Sequence, residues 1–152
     1  DYLVKLSAIK GDFFFEKNQL DLSERINVNI IKDKEELDLF AEKVFVDIDK
    51  EYLSSTNLKL SHNDITFSGR EVSLSDEFIS MSGNPIFFSK KDKFEGYSNE
   101  IRIDLKKKLL YLSGTSNILI DGKDITGEEI IFDYLNNSIL NSENLRIKSG
   151  NS

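Results

Sequence analysis

The sequence predicts an all-β fold, an elongated, twisted, antiparallel β-jellyroll built from tandem repeats of about 28 residues and filling residues 1–152 as a single domain. Three observations predict it. An octet is written twice, as Ser98-Asn99-Glu100-Ile101-Arg102-Ile103-Asp104-Leu105 and as Gly127-Glu128-Glu129-Ile130-Ile131-Phe132-Asp133-Tyr134, each reading small, polar, acidic, apolar, any, apolar, Asp, apolar. Looser copies run from Ala41 to Ile48, with Lys43 in the acidic slot, and from Gly69 to Asp76, with Ser75 in the Asp slot. The pivot positions 47, 75, 104 and 133 are spaced by 28, 29 and 29 residues, and a fixed period of this size marks an array of supersecondary units. The second observation is period-two alternation of apolar and polar residues, the pattern of a strand buried on one face. The third is that turn-forming residues fall where the alternation breaks.

Taken in order, Tyr2 to Phe15 contains Leu3, Val4, Leu6, Ile9 and the run Phe13-Phe14-Phe15, with Gly11-Asp12 read as a turn between two short strands. Leu20 and Leu22, then Ile26, Val28 and Ile30, alternate with Asp21, Asn27 and Asn29, which predicts a half-buried strand. The charged break Lys32-Asp33-Lys34-Glu35-Glu36 reads as a solvated hairpin tip. From Asp33 to Val46 an amphipathic helix competes with a strand, and the repeat register favours strand from Val44 onward. After pivot 47 come Leu53, Leu58 and Leu60, and after Ser75 come Met81, Ile86 and Phe88 at the same offsets. After Asp104 come Leu110, Leu112, Ile118 and Ile120, and after Asp133 come Ile139, Leu145 and Ile147. Each unit is therefore two or three short strands. Asp49-Lys50, Ser82-Gly83-Asn84-Pro85, Lys106-Lys107-Lys108, Asp121-Gly122 and Asn136-Asn137 supply the turns, Asp-Gly being a favoured hairpin dipeptide.

Alternation also assigns faces. Ile101, Ile103 and Leu105 point one way, and Arg102 and Asp104 the other, so the pivot carboxylates are expected to face water. The same phase puts Val44, Val46 and Ile48, then Val72 and Leu74, Ile118 and Ile120, and Ile130, Phe132 and Tyr134 on the inner face. Burying one such side chain is worth about 1.5–3 kcal/mol, so a slip by one residue, which would turn carboxylates inward, is strongly disfavoured. Hairpins with one apolar face must curl or sandwich around it, as an elongated, twisted, antiparallel jellyroll or a half-open barrel.

Composition narrows the function. A net charge of −7, with 20 Lys and Arg dispersed among 27 Asp and Glu, argues against a nucleic-acid partner, because phosphate binding needs clustered cations. No segment approaches the ~18–20 uninterrupted apolar residues of a membrane-spanning helix. The absence of cysteine removes disulfides, thiolate catalysis and cysteine metal sites. Beginning at Asp1 without a signal peptide, the chain reads as mature or trimmed.

Ser82-Gly83-Asn84-Pro85-Ile86-Phe87-Phe88, Phe94-Glu95-Gly96-Tyr97-Ser98, Ile101-Arg102-Ile103-Asp104, Leu109 to Gly114, and Ile125-Thr126-Gly127-Glu128-Glu129-Ile130-Ile131-Phe132-Asp133 form a series that resembles a known family. It is the OstA-like (LptA) family of periplasmic lipopolysaccharide-transport proteins, with its relatives, the LptC-type membrane-anchored partner and the amino-terminal domain of the LptD translocon. The resemblance is densest from Ile65 to Ile147, while Leu37 to Leu60 is as similar to the LptC branch as to the LptA branch. It implies a non-enzymatic protein without cofactor, exported to the periplasm. Such a protein holds the acyl chains of lipopolysaccharide or another glycolipid in an apolar jellyroll groove and joins homologous jellyrolls, or copies of itself head to tail, through edge strands. The lipid-facing set it implies is Phe15, Val28, Val46, Leu60, Phe67, Leu74, Phe88, Ile103, Ile120 and Phe132. Two alternatives stand beside it: an LptC-like anchored ectodomain, and a structural or adhesive β-repeat protein that binds proteins by its edges.

Other constellations are weaker. His62 beside Asp64 is one titratable pair, read as a surface turn rather than an acid–base couple. The pivots and Glu128-Glu129 are carboxylates without a defined cleft, and Asp121, Asp124 and Glu128 do not have the spacing of a calcium loop, so no metal is expected. Phosphate-binding glycine loops, nucleophile elbows and zinc motifs are absent from the sequence. Lys90-Lys91-Asp92-Lys93 and Lys106-Lys107-Lys108 read as solubilising turn tips.

Overall fold

Six long or medium strands each serve in two layers, and this arrangement defines the architecture. A computed structural model describes residues 2–143 and 145–149. Its strands are β1 (Leu3–Ser7), β2 (Lys10–Phe14), β3 (Gln19–Lys32), β4 (Glu35–Asp47), β5 (Tyr52–His62), β6 (Ile65–Leu74), β7 (Ile79–Ser82), β8 (Ile86–Ser89), β9 (Phe94–Tyr97), β10 (Glu100–Asp104), β11 (Leu109–Ile120), β12 (Lys123–Asp133), β13 (Ser138–Glu143) and β14 (Arg146–Ser149). Every pairing is antiparallel and all the strands join one 14-stranded sheet. The helical alternative for Asp33 to Val46 is excluded: Leu37 and Leu39 are buried at period two within β4.

The sheet is folded along a seam. One leaf runs β2, the first half of β3, the second half of β4, the first of β5, the second of β6, then β7, β10, the first half of β11, the second of β12, and β13. The other leaf runs β1 and the complementary halves of β3, β4, β5 and β6, then β8, β9, and the complementary halves of β11 and β12, ending on β14. At the seam the ladders slip between Ser23 and Ile26, Ser54 and Leu58, and Ser113 and Ser116. Glu24 and Arg25 adopt φ of 63° and 50° and Gly114 a φ of 84°, the backbone signature of bulges that bend a strand. Where β7 gives way to β8, Gly83, Asn84 and Pro85 break the strand outright, so the proline removes no donor from a ladder.

The hairpin chemistry explains the repeat. At the free end of the second leaf, Asp33-Lys34, Asn63-Asp64 and Asp121-Gly122 are two-residue turns with both central φ angles positive, the requirement of a type I′ turn. At the free end of the first leaf the turns span four residues, and the pivot caps them. Asp104 Oδ1 accepts the N–H groups of Lys106 and Lys107 at 3.0 and 2.9 Å, and Asp133 Oδ1 those of Leu135 and Asn136 at 2.9 and 3.0 Å. Asp47 Oδ1 accepts the N–H of Lys50, and Ser75 Oγ that of Phe78. One period of 28 or 29 residues is thus a full circuit across both leaves, cap to cap. The expectation that the pivots face water is corrected for Asp47 and Asp104, which are buried. Strand alternation ends at these residues, and the turn wraps over the carboxylate.

The core lies between the leaves as one cluster that includes Val28, Leu60, Phe67, Phe87, Ile103 and Ile130. Phe94 of the second leaf meets Phe132 of the first at a centroid distance of 5.0 Å and an angle of 69°, an edge-to-face contact across the sandwich. Three expectations are corrected here. Gly11 and Asp12 lie within β2, not in a turn, because β1 and β2 pair successively with the two halves of β3 and the chain bends at Ala8-Ile9 instead. Phe15, assigned to the inner face, sits in the turn after β2 and is 84% exposed. Phe88, also assigned inward, lies on the outer face, since Phe87 pairs with buried Phe67 and takes the inner place. The break at Gly83 to Pro85 shifts the alternation by one residue relative to a constant offset from the pivot.

Gly96 is buried where a Cβ would stand 2.3 Å from the Asn117 carbonyl oxygen and 2.6 Å from Phe87 Cζ. Gly96→Ala is expected to destabilise the fold by about 1–3 kcal/mol in urea denaturation, as overpacking does. Gly122→Asn, at a turn with open space but a φ of 72° that side chains rarely adopt, is expected to lower the midpoint by less than Gly96→Ala does, Asn being among the residues that tolerate this region best.

Candidate functional site

The interior is closed in the middle and open at one end. Val28, Leu60, Phe67, Ile103 and Phe132 are 0% exposed and touch other side chains, not open space. At the end formed by β1, a cavity of about 420 Å³ opens between the leaves. Its second-leaf wall is Tyr2, Val4, Leu6, Ile30 and Lys32, and its first-leaf wall is Val46, Asp47, Ile48, Glu51, Tyr52 and Leu53 with Val72, Leu74 and Asp76. Val4 and Leu6 pair with Ile30 and Val28 and so point inward, yet they remain 38% and 40% exposed. Inward-facing residues stay exposed only where the opposite leaf does not cover them. The apolar floor is therefore accessible from the end, and a volume within the roughly 300–1,000 Å³ range of ligand pockets is consistent with a bound chain or small molecule.

Charged groups ring this opening. Lys32 lies over the Tyr2 ring at 4.4 Å and its Nζ donates to the Asp76 carbonyl oxygen across the opening. Burial, followed by the nearby Asp33, Glu51, Asp104 and Asp76 carboxylates, pushes the Tyr2 phenol up to about 12. The hydroxyl is a neutral donor at physiological pH.

Farther along, the same mouth is latched shut. The Lys108 ammonium pairs with Glu35 and donates to the Leu105 carbonyl at 2.8 Å, tying a first-leaf turn to the start of β4. His62, expected on a surface turn, is buried at the end of β5. Its Nδ1 is 2.8 Å from the Glu36 carbonyl oxygen, which only accepts, so Nδ1 carries the proton. In the neutral ring Nε2 then accepts the hydroxyl of Tyr134, 3.0 Å away on the opposite leaf. Asp64 does not join this pair; it lies 3.8 Å from Lys91 at the surface.

Of the lipid-facing set read from the sequence, Val46 and Leu74 line the cavity. Ile120 borders a shallower groove of about 520 Å³ with Phe88 and Phe94, and the remaining residues are in the filled centre or, for Phe15 and Phe88, outside. Sequence reasoning missed Tyr2, Val4 and Leu6, whose period-two spacing was the available signal, and Ile30, Leu53 and Val72, which differ from other core residues only in lying beside the opening. Asp121, Asp124 and Glu128 are not gathered together, and no group of acidic or histidine side chains able to hold a metal occurs among the described residues.

Burial holds the His62 imidazole below its ordinary value of 6.5, outweighing the Glu36 hydrogen bond and the Glu35 charge that raise it. The unfolded chain therefore takes up a proton that the folded chain resists. The stability contributed by neutral His62 is fully present above pH 6.5 and is lost as pH falls below it toward the lower folded value. Urea midpoints between pH 7.5 and 5 are expected to fall, and His62→Gln to remove that part of the slope. Tyr134→Phe, which leaves buried Nε2 unpaired, is expected to destabilise by about 1–3 kcal/mol at pH 7.5.

No protein-family model matches the sequence, and no curated protein matches it. Among solved structures, the chain is similar to the crystal structure of LptH, described as the LptA-homologous periplasmic component of the conserved lipopolysaccharide transport device from Pseudomonas aeruginosa. The superposition has a TM-score of 0.53 at 10% sequence identity and covers 96% of this chain and 94% of that one. The all-β, twisted jellyroll is thereby shared with an LptA-type protein from end to end.

Proposed function

We propose that this chain is a non-enzymatic lipid-binding bridge component, taking an acyl chain of lipopolysaccharide or a related glycolipid into the open end of the jellyroll while the head group stays in water. The observation that carries the reading is the pair Val4 and Leu6, inward-facing and uncovered above an apolar floor in an otherwise filled sandwich. Each methylene removed from water contributes about 0.8 kcal/mol, so a few methylenes in this cavity suffice for measurable binding. The shared fold with a periplasmic transport component supports a periplasmic location and an LptA-like role; an LptC-like anchored ectodomain is the alternative role that the sequence resemblance implies. Edge strands β1 and β2 at one end and β13 and β14 at the other offer backbone groups for pairing with homologous jellyrolls or with copies of the chain.

A structural or adhesive reading is favoured by one specific observation, the filled centre of the sandwich. Lipid binding separates the two. A fluorescent acyl probe is expected to bind the native chain and to lose at least tenfold in affinity, about 1.4 kcal/mol, on Leu6→Asp. Leu6 is already 40% exposed, so a native circular dichroism spectrum and melting curve should accompany the loss. No probe uptake under any condition would leave the structural reading. For assembly, the cysteine-free chain permits a direct test: Leu3→Cys and Ile147→Cys variants, mixed, are expected to form the mixed disulfide dimer in preference to either homodimer if the ends meet head to tail.

A further inference from the structure

The two leaves are joined at the seam by continuous strands, but on the opposite side, where their free turns meet, side chains hold them together. Among the described residues no backbone–backbone hydrogen bond links a second-leaf tip to a first-leaf turn. His62 is the buried titratable member of the contacts that bridge this mouth. Its ring stands edge-on to Tyr134, with centroids 5.6 Å apart and an angle of 81°. Both nitrogens are engaged: Nδ1–H donates to the Glu36 carbonyl of its own leaf, and Nε2 accepts the Tyr134 hydroxyl of the other.

We infer that His62 is an acid-released latch: a second proton on its ring breaks the bond to Tyr134 and parts the facing turns of the two leaves, while the ladders within each leaf persist. A proton on Nε2 turns the acceptor that the Tyr134 hydroxyl uses into a donor, so two hydrogens face each other along a 3.0 Å contact until one group moves. The surroundings give the imidazolium no free counter-charge among the described residues. From β4, Glu35 attracts it but is bound to Lys108, and from the β10–β11 turn Lys108 itself repels it. The Asp133 and Asp104 carboxylates act on Tyr134 and are occupied in capping their own turns. On the β5–β6 turn Asp64 faces Lys91, and the Glu36 side chain is exposed. Burial therefore outweighs the groups that favour a charged ring. Parting the turns returns the ring to water and breaks no ladder, whereas global unfolding breaks every one, so the local release is the less costly response.

The cysteine-free chain accepts spin labels at Ser61→Cys, beside His62 on the outer face of the second leaf, and at Leu135→Cys, beside Tyr134 in the first-leaf turn, both exposed positions. Double electron–electron resonance on the whole labelled chain is expected to give one narrow distance at pH 7.5 and a longer component that grows towards pH 5. That component should be half-developed below pH 6.5, the ordinary imidazole value, while the far-ultraviolet circular dichroism stays that of the folded chain. His62→Gln should lack the longer component at pH 5, and Tyr134→Phe should show it already at pH 7.5. Three results overturn the latch: an unchanged distance at pH 5, a separation that survives in His62→Gln and so belongs to another group, or a separation that appears only with loss of the folded spectrum. Should His62→Gln fail to fold at pH 7.5, Tyr134→Phe decides in its place, and a short distance there at pH 7.5 overturns the latch. No lipid is present in the measurement, so its outcome is independent of the acyl-binding reading.

Discussion

The fold depends on the bulges at the seam. A strand of 14 residues such as β3 would, if regular, carry its apolar face along one flat sheet and leave that face half uncovered. The slip between Ser23 and Ile26 lets the same strand pair with β2 and β4 on one leaf and with β1 and β4 on the other. Each long strand thus supplies both walls of the core it helps to bury. Cross-leaf contacts such as Phe94 with Phe132 and His62 with Tyr134 then close what the seam begins. Without the bulges there is no second wall for these side chains to meet.

The same geometry explains why one end is open. The latching contacts, Lys108 with Glu35 and His62 with Tyr134, join second-leaf turns to first-leaf turns that come much later in the chain. Sheet twist displaces the leaves across the mouth, as right-handed twist accumulates over many strands. The first strands of the second leaf therefore stand over the gap beside Val46 and Leu74 instead of over a complete wall. Cavity and latch are two results of one offset.

Much of the fold was legible because alternation is a local property. Val28, Val46, Phe67, Ile103 and Phe132 are buried as their spacing requires, and the turn residues fall at the breaks. Where the reading failed, it had assumed a constant offset: Phe88 was placed by counting from a pivot, and the break at Gly83 to Pro85 moved the phase to Phe87. The pivots themselves were recognised, but their role was not, since a carboxylate that caps a turn and one that merely faces water look alike in a pattern. The site was less legible. Val46 and Leu74 reach the cavity and Leu60 does not, although all are apolar residues at inward positions. Exposure at the open end is decided by which strands of the opposite leaf lie above, and that depends on twist summed over the whole sheet. No single window of sequence contains it.

The caps at Asp47, Ser75, Asp104 and Asp133 make each circuit self-contained at its own tip. Apart from the cross-leaf contacts Lys108 with Glu35, His62 with Tyr134 and Lys32 with Asp76, a circuit shares with its neighbours a ladder and a part of the core, so nearest-neighbour terms carry much of its energetics. Chain length and end geometry are consequently separable quantities. A whole circuit added beyond Asp76 would change how far the molecule reaches while leaving in place the residues that line the opening at the β1 end, which makes reach an adjustable dimension of this architecture.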